Sequence, residues 1–500
     1  MAQPLNESGA EVRIGRVTLR TPGLAGMVEV YEPAEGGTRG PTRSAEGATS
    51  DLLRALHNAR TREQMTIEIA ETRPVELGVD NARRGPSGEP SIEVDVPAAG
   101  DDWGQFVLAT DEAGAVSWHL PVDQDNAVDA SRGAASRTYV VPRRVVEAPA
   151  EGAAGARGVA SAVGKKVLKV VVFPLVDPIL GKVGEFFAHK WELRNRPYGL
   201  RSFTPGNYSQ PLGEAIGEEA WEGLSAGPAL LFVHGTFSRA YSAFGGLDPG
   251  VLEALHERYE GRVFAFDNPT LADTPVDNVD WLLQQLPASA NLKLDVVCHS
   301  RGGLVSRELA RRAGASGNGA RVEIGRIVFV AVPNAGTVLT DSRHVGDFLD
   351  TYTNLLQFFP DNGVTDVLEA VIAVVKQLAA ATLRGLDGLQ SMLPGGPYLS
   401  ALDVAIPAGA KYYALTSNFE PDAGSVGIRV VDGVVDRIFD GKQNDLVVPT
   451  EGVYRFGAEL GGFGADPTPR LHVFTGDGAP VHTRFFAEPK TAEAILSWLR

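Results

Sequence analysis

The sequence predicts an α/β protein: a doubly wound, mostly parallel sheet with a helical insert, preceded by a β-rich N-terminal domain. Three observations predict it. From Ala229 onward, short and wholly apolar runs alternate with amphipathic stretches, the pattern of parallel strands covered on both faces. After Pro333 the alternation stops, and strand-like runs resume only at Lys411. Before residue 148, short β runs recur at a spacing of roughly ten residues, which suggests a small sandwich or barrel.

In chain order, the first part reads as strands at Glu11–Leu19, Met65–Ile69, Ser91–Val96, Phe106–Ala109, Val116–Leu120 and Tyr139–Val141. Turn clusters such as Arg84-Gly-Pro-Ser-Gly-Glu-Pro90 separate them. His57 and His119 stand alone and read as structural. Pro149–Val159 is a Gly/Ala linker, and 149–205 as a whole reads as linker plus helical connector. The α/β part spans 206–500. Strands are expected at Ala229–Val233, Arg262–Phe266, Leu292–Val297 and Gly325–Val332, with helices at Pro249–Tyr259, Val276–Leu286 and Gly303–Arg312. Within about 340–405, Val364, Val367, Leu368, Val371, Ile372, Val375 and Leu378 recur at helical spacing. Strands are then expected at Lys411–Thr416, Gly427–Val434 and Leu471–Phe474, before a closing helix, Thr491–Arg500.

Composition narrows the function. A chain of 500 residues with a formal charge of −16 cannot neutralise a run of phosphates, so a nucleic-acid partner is not expected. A single cysteine allows no internal disulfide and suits a reducing cytoplasm. The first residues lack the basic-then-apolar pattern of a leader, and no apolar stretch is long enough to span a bilayer. The nearest, Val167–Leu180, is broken by Lys169, Pro174 and Asp177; it reads as a packed helix or strand pair, with transient membrane-surface contact as the lesser alternative. No histidine or cysteine pair has metal-ligand spacing and no glycine-rich phosphate loop follows a strand, so neither metal nor cofactor is expected.

The chemistry centres on Leu294-Asp-Val-Val-Cys-His-Ser300-Arg-Gly-Gly-Leu-Val305, which reads as buried strand, tight turn and helix start. Such an elbow pushes the serine at its apex out beyond the sheet edge, where it can act as a nucleophile. Gly302 and Gly303 give room for strand and helix to cross, whereas Cys298 stands where glycine is usual. Two other serines have small flanking residues. Ser225, in Gly223-Leu-Ser-Ala-Gly227, precedes a strand, and Ser425 has neither strand before it nor helix after it. Only Ser300 has all three parts in order.

Further features converge on Ser300. Leu231-Phe-Val-His-Gly-Thr-Phe237 ends a strand in a His-Gly turn, so the backbone N–H groups of Thr236 and Arg301 are the candidate oxyanion hole. Asp445, in Gln443-Asn-Asp-Leu-Val-Val-Pro449, is the candidate carboxylate, with Asp432, Asp436 and Asp440 as competitors. His482, in Pro480-Val-His-Thr-Arg484, is the candidate general base, and His472 reads as structural. His234, Phe237 and His299 are the candidate substrate-side residues; His344 also flanks the region without an assigned role. Cys298 points back into the sheet and reads as a small hydrophobe.

Residues from about 229 to 500 resemble the α/β-hydrolase superfamily, in its lipase-like branch. The resemblance rests on His234-Gly235, the elbow, Val330-Ala-Val-Pro-Asn-Ala-Gly-Thr337, Met392-Leu-Pro-Gly-Gly-Pro-Tyr-Leu399 and Asn444-Asp445. The Cys-His-Ser-Arg-Gly-Gly variant is similar to that of a bacterial group of hydrolases. The chain order Ser300, Asp445, His482 fits that superfamily. The resemblance implies a serine hydrolase with a helical cap, acting on a small-molecule or lipid ester. The same triad would serve an amidase, thioesterase or acyltransferase. The competing expectation is an inactive scaffold, with the N-terminal domain recruiting a protein partner.

Overall fold

The computed structural model describes residues 2–33, 48–75, 90–122, 136–143, 165–177, 181–182, 187–211, 213–314, 321–356, 363–380, 385–403, 409–421, 426–457, 463, 468–476 and 478–499. Its larger sheet has seven strands in the spatial order Gly199–Ser202, Val263–Asp267, Pro228–Val233, Leu292–His299, Val322–Val330, Lys411–Ser417 and Leu471–Phe474. Only Gly199–Ser202 pairs antiparallel; every other pairing is parallel.

The apolar strand sequences follow from burial on both faces. Along Pro228–Val233, Leu231 and Val233 enter one core, with Leu282 and Leu309 from the helices Pro275–Gln285 and Gly302–Gly314. Leu230 and Phe232 enter the other, with Leu252 and Ile495 from the helices Pro249–Arg258 and Pro489–Trp498. Helices cover both faces, as a doubly wound sheet requires. The chain leaves Pro228–Val233 towards one edge of the sheet and Leu292–His299 towards the other, so the topological switch lies between these neighbours. Ligand sites of open α/β sheets lie beyond the carboxyl ends of the strands at such a switch. The His-Gly loop and Ser300 both emerge there.

The N-terminal residues form two antiparallel sheets, of six and four strands, around a shared core that includes Leu19, Val94 and Tyr139 from one and Ile67, Val107 and Leu168 from the other. Glu11–Leu19 is split into a hairpin, Val12–Ile14 and Val17–Arg20. The expected boundary at residue 148 needs correction. Lys166–Pro174, placed in the connector by the sequence reading, is an inner strand of the six-stranded sheet, hydrogen-bonded between Arg62–Pro74 and Trp103–Thr110. Its interruptions by Lys169 and Pro174 obscured a strand whose partners lie far away in the chain. The only described helix of the connector is Phe187–Asn195. The linker Pro149–Val159 and the turn cluster 84–89 lie outside the described residues.

A second correction concerns Gly427–Val434, expected as a strand, which lies inside the helix Val426–Ile438. Ile428, Val431, Val435 and Ile438 recur at three and four residues, and that period outweighs the β-branched composition. Between Val322–Val330 and Lys411–Ser417 the described residues include four α-helices, Val345–Leu356, Val364–Ala379, Asp387–Gln390 and Pro397–Asp403. No helix among the described residues is long and apolar enough to cross a membrane.

Candidate active site

Leu292–His299 is the central strand of the seven, and the chain turns sharply at its end. Ser300 has φ +52°, in the left-handed region that bulky residues avoid, and its N–H donates to the Val330 carbonyl at 3.0 Å. The helix Gly302–Gly314 follows at once. A side chain at residue 302 would put its Cβ 2.4 Å from the carbonyl oxygens of both Val233 and His234, so only glycine fits. At Gly235 a Cβ would meet the Cβ of Ser300 at 2.5 Å, so glycine there lets the upstream loop approach the serine. Cys298 does not disturb the turn. It lies within the strand, paired between Val233 and Phe329, with its Sγ 3.4 Å from the Val328 carbonyl oxygen. Burial pushes its thiol pKa well up.

His482 Nε2 lies 2.9 Å from Ser300 Oγ and its Nδ1 lies 2.9 Å from Asp445 Oδ2. The His482 N–H also donates to the Asp445 carbonyl, at 2.9 Å, which fixes the two loops to each other. The other carboxylate oxygen of Asp445 accepts from the N–H groups of Val447 (3.0 Å) and Val448 (2.7 Å). An acceptor-only carboxylate on Nδ1 selects the tautomer with a proton there, leaving Nε2 to accept from the serine hydroxyl. Both side chains are sealed from solvent, at 0% and 1% exposure. The competitors are elsewhere. Asp436 accepts from Asn444 Nδ2 at 3.0 Å, and Asp432 and Asp440 make no bond to His482. Two sequence landmarks brace this loop: Thr337 donates its hydroxyl to Val447 O (2.7 Å) and its N–H to Met392 O (2.9 Å).

Among the described residues, neither the Thr236 nor the Arg301 backbone N–H has a hydrogen-bond partner. The Arg301 guanidinium points away, donating to Gly388 O (2.9 Å), Asn278 Oδ1 (3.0 Å) and Asp273 O. Burial lowers its pKa, and no carboxylate pairs with it directly.

The three substrate-side candidates divide. His234 has both ring nitrogens engaged by backbone, Nδ1 with Gly235 O at 2.9 Å and Nε2 accepting from the Asn268 N–H at 3.1 Å. It therefore braces the loop, and burial drives its pKa down to about 4. Phe237 packs its ring on Phe348 and Tyr352 of the first insert helix, Val345–Leu356. His299 donates from Nε2 to His482 O at 2.9 Å, while its buried Nδ1 has no partner. It lines a small cavity of about 30 Å³ with Thr236, Tyr352, Leu356, Val364 and Val367. His344 bonds Asp341 at 2.9 Å.

Two further contributors were not read from the sequence. Arg196, just after the helix Phe187–Asn195, is buried and donates to Phe237 O in the loop and to Asp366 O in the second insert helix, Val364–Ala379. Tyr352 presents its ring edge-on to His482, with centroids 6.0 Å apart. Its row of buried neighbours, Thr351, Thr353 and Asn354, was the available signal: polar residues inside an apolar helix.

The family described as a domain of unknown function, DUF7379, matches residues 195–500. The chain belongs to this family. The DUF7379 region holds Ser300, Asp445 and His482, but not the N-terminal sheets. No curated protein matches the sequence. Among solved structures, a phospholipase, PlaB from Legionella pneumophila, is similar at 15% identity and a TM-score of 0.30, covering 45% of this chain and 45% of that one. The chain thus spans under half the length of that phospholipase. Lipase 1 from Pelosinus fermentans is 12% identical over 54% of this chain and 97% of its own, with a TM-score of 0.34. Carboxylesterase CesB from Bacillus subtilis is 12% identical over 55% and 84%, with a TM-score of 0.30.

Proposed function

We propose that this protein is a serine hydrolase of α/β-hydrolase type that cleaves carboxylic esters through an acyl-enzyme on Ser300. The observation that carries this reading is the unbroken line Asp445–His482–Ser300, two contacts of 2.9 Å that end on a serine in left-handed backbone between strand and helix. His482 takes the Ser300 proton as Oγ bonds to the acyl carbon, and the carbonyl electron pair moves to oxygen. The unpartnered N–H groups of Thr236 and Arg301 receive that oxyanion. His482 then protonates the leaving alkoxide, and a water molecule activated by the same imidazole releases the acid. Asp445 holds the ring and stabilises its charged form.

The helices within 340–405 act in this reading as a cap over the site, and the residues before 178 form a separate β domain against it. The small cavity lined by Thr236, His299 and Tyr352 is, in this reading, the place for a short acyl group.

Labelling with a fluorophosphonate probe tests the proposal. Wild type should be labelled and Ser300→Ala should not. Asp445→Asn should cut turnover of a short-chain ester about 10⁴-fold, while Asp436→Asn stays within a few-fold of wild type. A wild type labelled no faster than Ser300→Ala would leave only an interaction scaffold.

A further inference from the structure

Tyr352 lies in the middle of the first insert helix, 3% exposed, and nothing in the proposed triad or oxyanion hole uses it. Its ring is gripped by Phe237 and Phe348, each with centroids 4.9 Å away and at steep angles, so it has little freedom to turn. Phe237 follows the oxyanion-loop residue Thr236, and the rings of Tyr352 and His482 meet in a T-shaped contact. The phenol therefore stands between the loop that would receive the oxyanion and the imidazole that would move the proton. It lines the same cavity as Thr236 and His299. Burial raises its pKa, and the nearby Ser300 side chain offsets part of that rise. A phenol that keeps its proton is a donor, never a base, at the pH where an imidazole works.

The helix that carries Tyr352 is fixed from outside the DUF7379 region. Strand Val116–His119 of the N-terminal sheet lies along it, and Asn354 clasps Val116 at both backbone atoms, accepting from N–H at 2.8 Å and donating to O at 2.7 Å. The Trp118 N–H donates to Asp350 (2.8 Å), and its indole N–H donates to Thr353 Oγ1 (2.8 Å). Four directed bonds within little more than one helical turn set both the height and the rotation of the helix at Tyr352.

We propose that Tyr352 is a third hydrogen-bond donor to the tetrahedral intermediate, and that the N-terminal sheet holds it in position. This rests on the serine-hydrolase reading above. At rest the phenol faces the Ser300 hydroxyl. When Oγ bonds to the acyl carbon and its proton passes to His482, the phenol turns its O–H onto the oxyanion beside Thr236. It keeps its own proton throughout, and on collapse of the intermediate it returns to Oγ.

Tyr352→Phe keeps the ring and its packing and removes only the donor. It should melt with wild type, lower kcat for a short-chain ester by roughly 10- to 100-fold with KM within about twofold, and slow fluorophosphonate labelling in proportion. Asn354→Leu should lower kcat several-fold in wild type and leave Tyr352→Phe unchanged, because the tie acts through the phenol. A Tyr352→Phe enzyme within threefold of wild type in kcat would overturn the donor role. Equal losses from Asn354→Leu in both backgrounds would overturn the positioning role of the sheet. If wild type is neither labelled nor active, the hydrolase reading has failed first, whereas a labelled wild type matched by Tyr352→Phe sinks this inference alone.

Discussion

At the scale of single residues, the site depends on histidines kept neutral for different purposes. His234 and His299 are buried, and neither ring hydrogen-bonds a carboxylate; Asp267 Oδ1 lies 3.8 Å from His234 Nε2, and its charge only partly opposes the effect of burial. Burial, joined for His299 by the nearby His482, lowers their pKa values to about 4 and about 3. Each is thus below its unfolded value near 6.5, so between pH 6.5 and 4 the unfolded chain binds more protons than the folded one. Stability from this source is complete above pH 6.5 and is lost as pH falls towards 4, about 3 kcal/mol for His234 alone. Urea midpoints measured from pH 7 to pH 4.5 should fall steadily, and His234→Asn should flatten the slope. A midpoint independent of pH over that range would contradict the assignment. All three residues of the proposed triad could be picked out in the sequence, because each sits in a short local context: strand then turn for Ser300, loop before an apolar run for Asp445, loop after a strand for His482. Tyr352 was missed, because an aromatic residue in an apolar helix looks the same whether it faces a core or a site; only its polar neighbours Thr351, Thr353 and Asn354 mark that helix out. The role expected of His234 also required the structure, since its sequence neighbours do not show that Asn268 takes its second nitrogen.

At the scale of elements, the connector helix Phe187–Asn195 is the least obvious participant. Glu192 spreads its carboxylate over the N–H groups of Thr270, Leu271 and Ala272, and Thr270 in turn accepts from the Phe237 N–H at 3.3 Å. Burial raises the Glu192 pKa against the pull of those three donors. Arg196 completes the frame by joining Phe237 O to Asp366 O. Replacing Arg196 by methionine strands the buried Phe237 carbonyl, which should cost about 2 kcal/mol and should reduce kcat more than it raises KM, through a loosened candidate oxyanion loop. Denaturant titration and steady-state kinetics read both; an unchanged kcat would place the loop's rigidity elsewhere. The parallel strands were readable because each is an apolar run buried on two faces. Lys166–Pro174 was misplaced for the opposite reason: its partners are about 60 and 100 residues away, and pairing at that range leaves no local mark.

At the scale of the whole molecule, the matched family region and the physical unit differ. The six-stranded sheet turns Phe106, Leu108, Trp118, Val171 and Phe173 towards the apolar core that contains the insert. Lys376 of the second insert helix donates to Ala59 O at 2.9 Å, and Asn58 donates to Glu369 at 2.7 Å. A chain beginning at residue 187 would bare that apolar face. It should aggregate or bind a hydrophobic dye, and label with the fluorophosphonate at no more than a few per cent of the wild-type rate. A monomeric truncation labelled at full rate would show that the sheet is dispensable.

The clasp between Val116 and Asn354 joins residues 238 positions apart, and His482 reaches Ser300 across 182. Contacts this distant form only after the intervening chain exists. During synthesis, Ser300 leaves the ribosome long before His482 does, and the strand Val116–His119 is made before both. On the proposed mechanism Ser300 therefore has no base until His482 has been made, and the growing polypeptide cannot hydrolyse an ester until the His482 loop has docked. Activity becomes a report of finished folding, which makes recovery of probe labelling after dilution from denaturant a direct clock for the final assembly step.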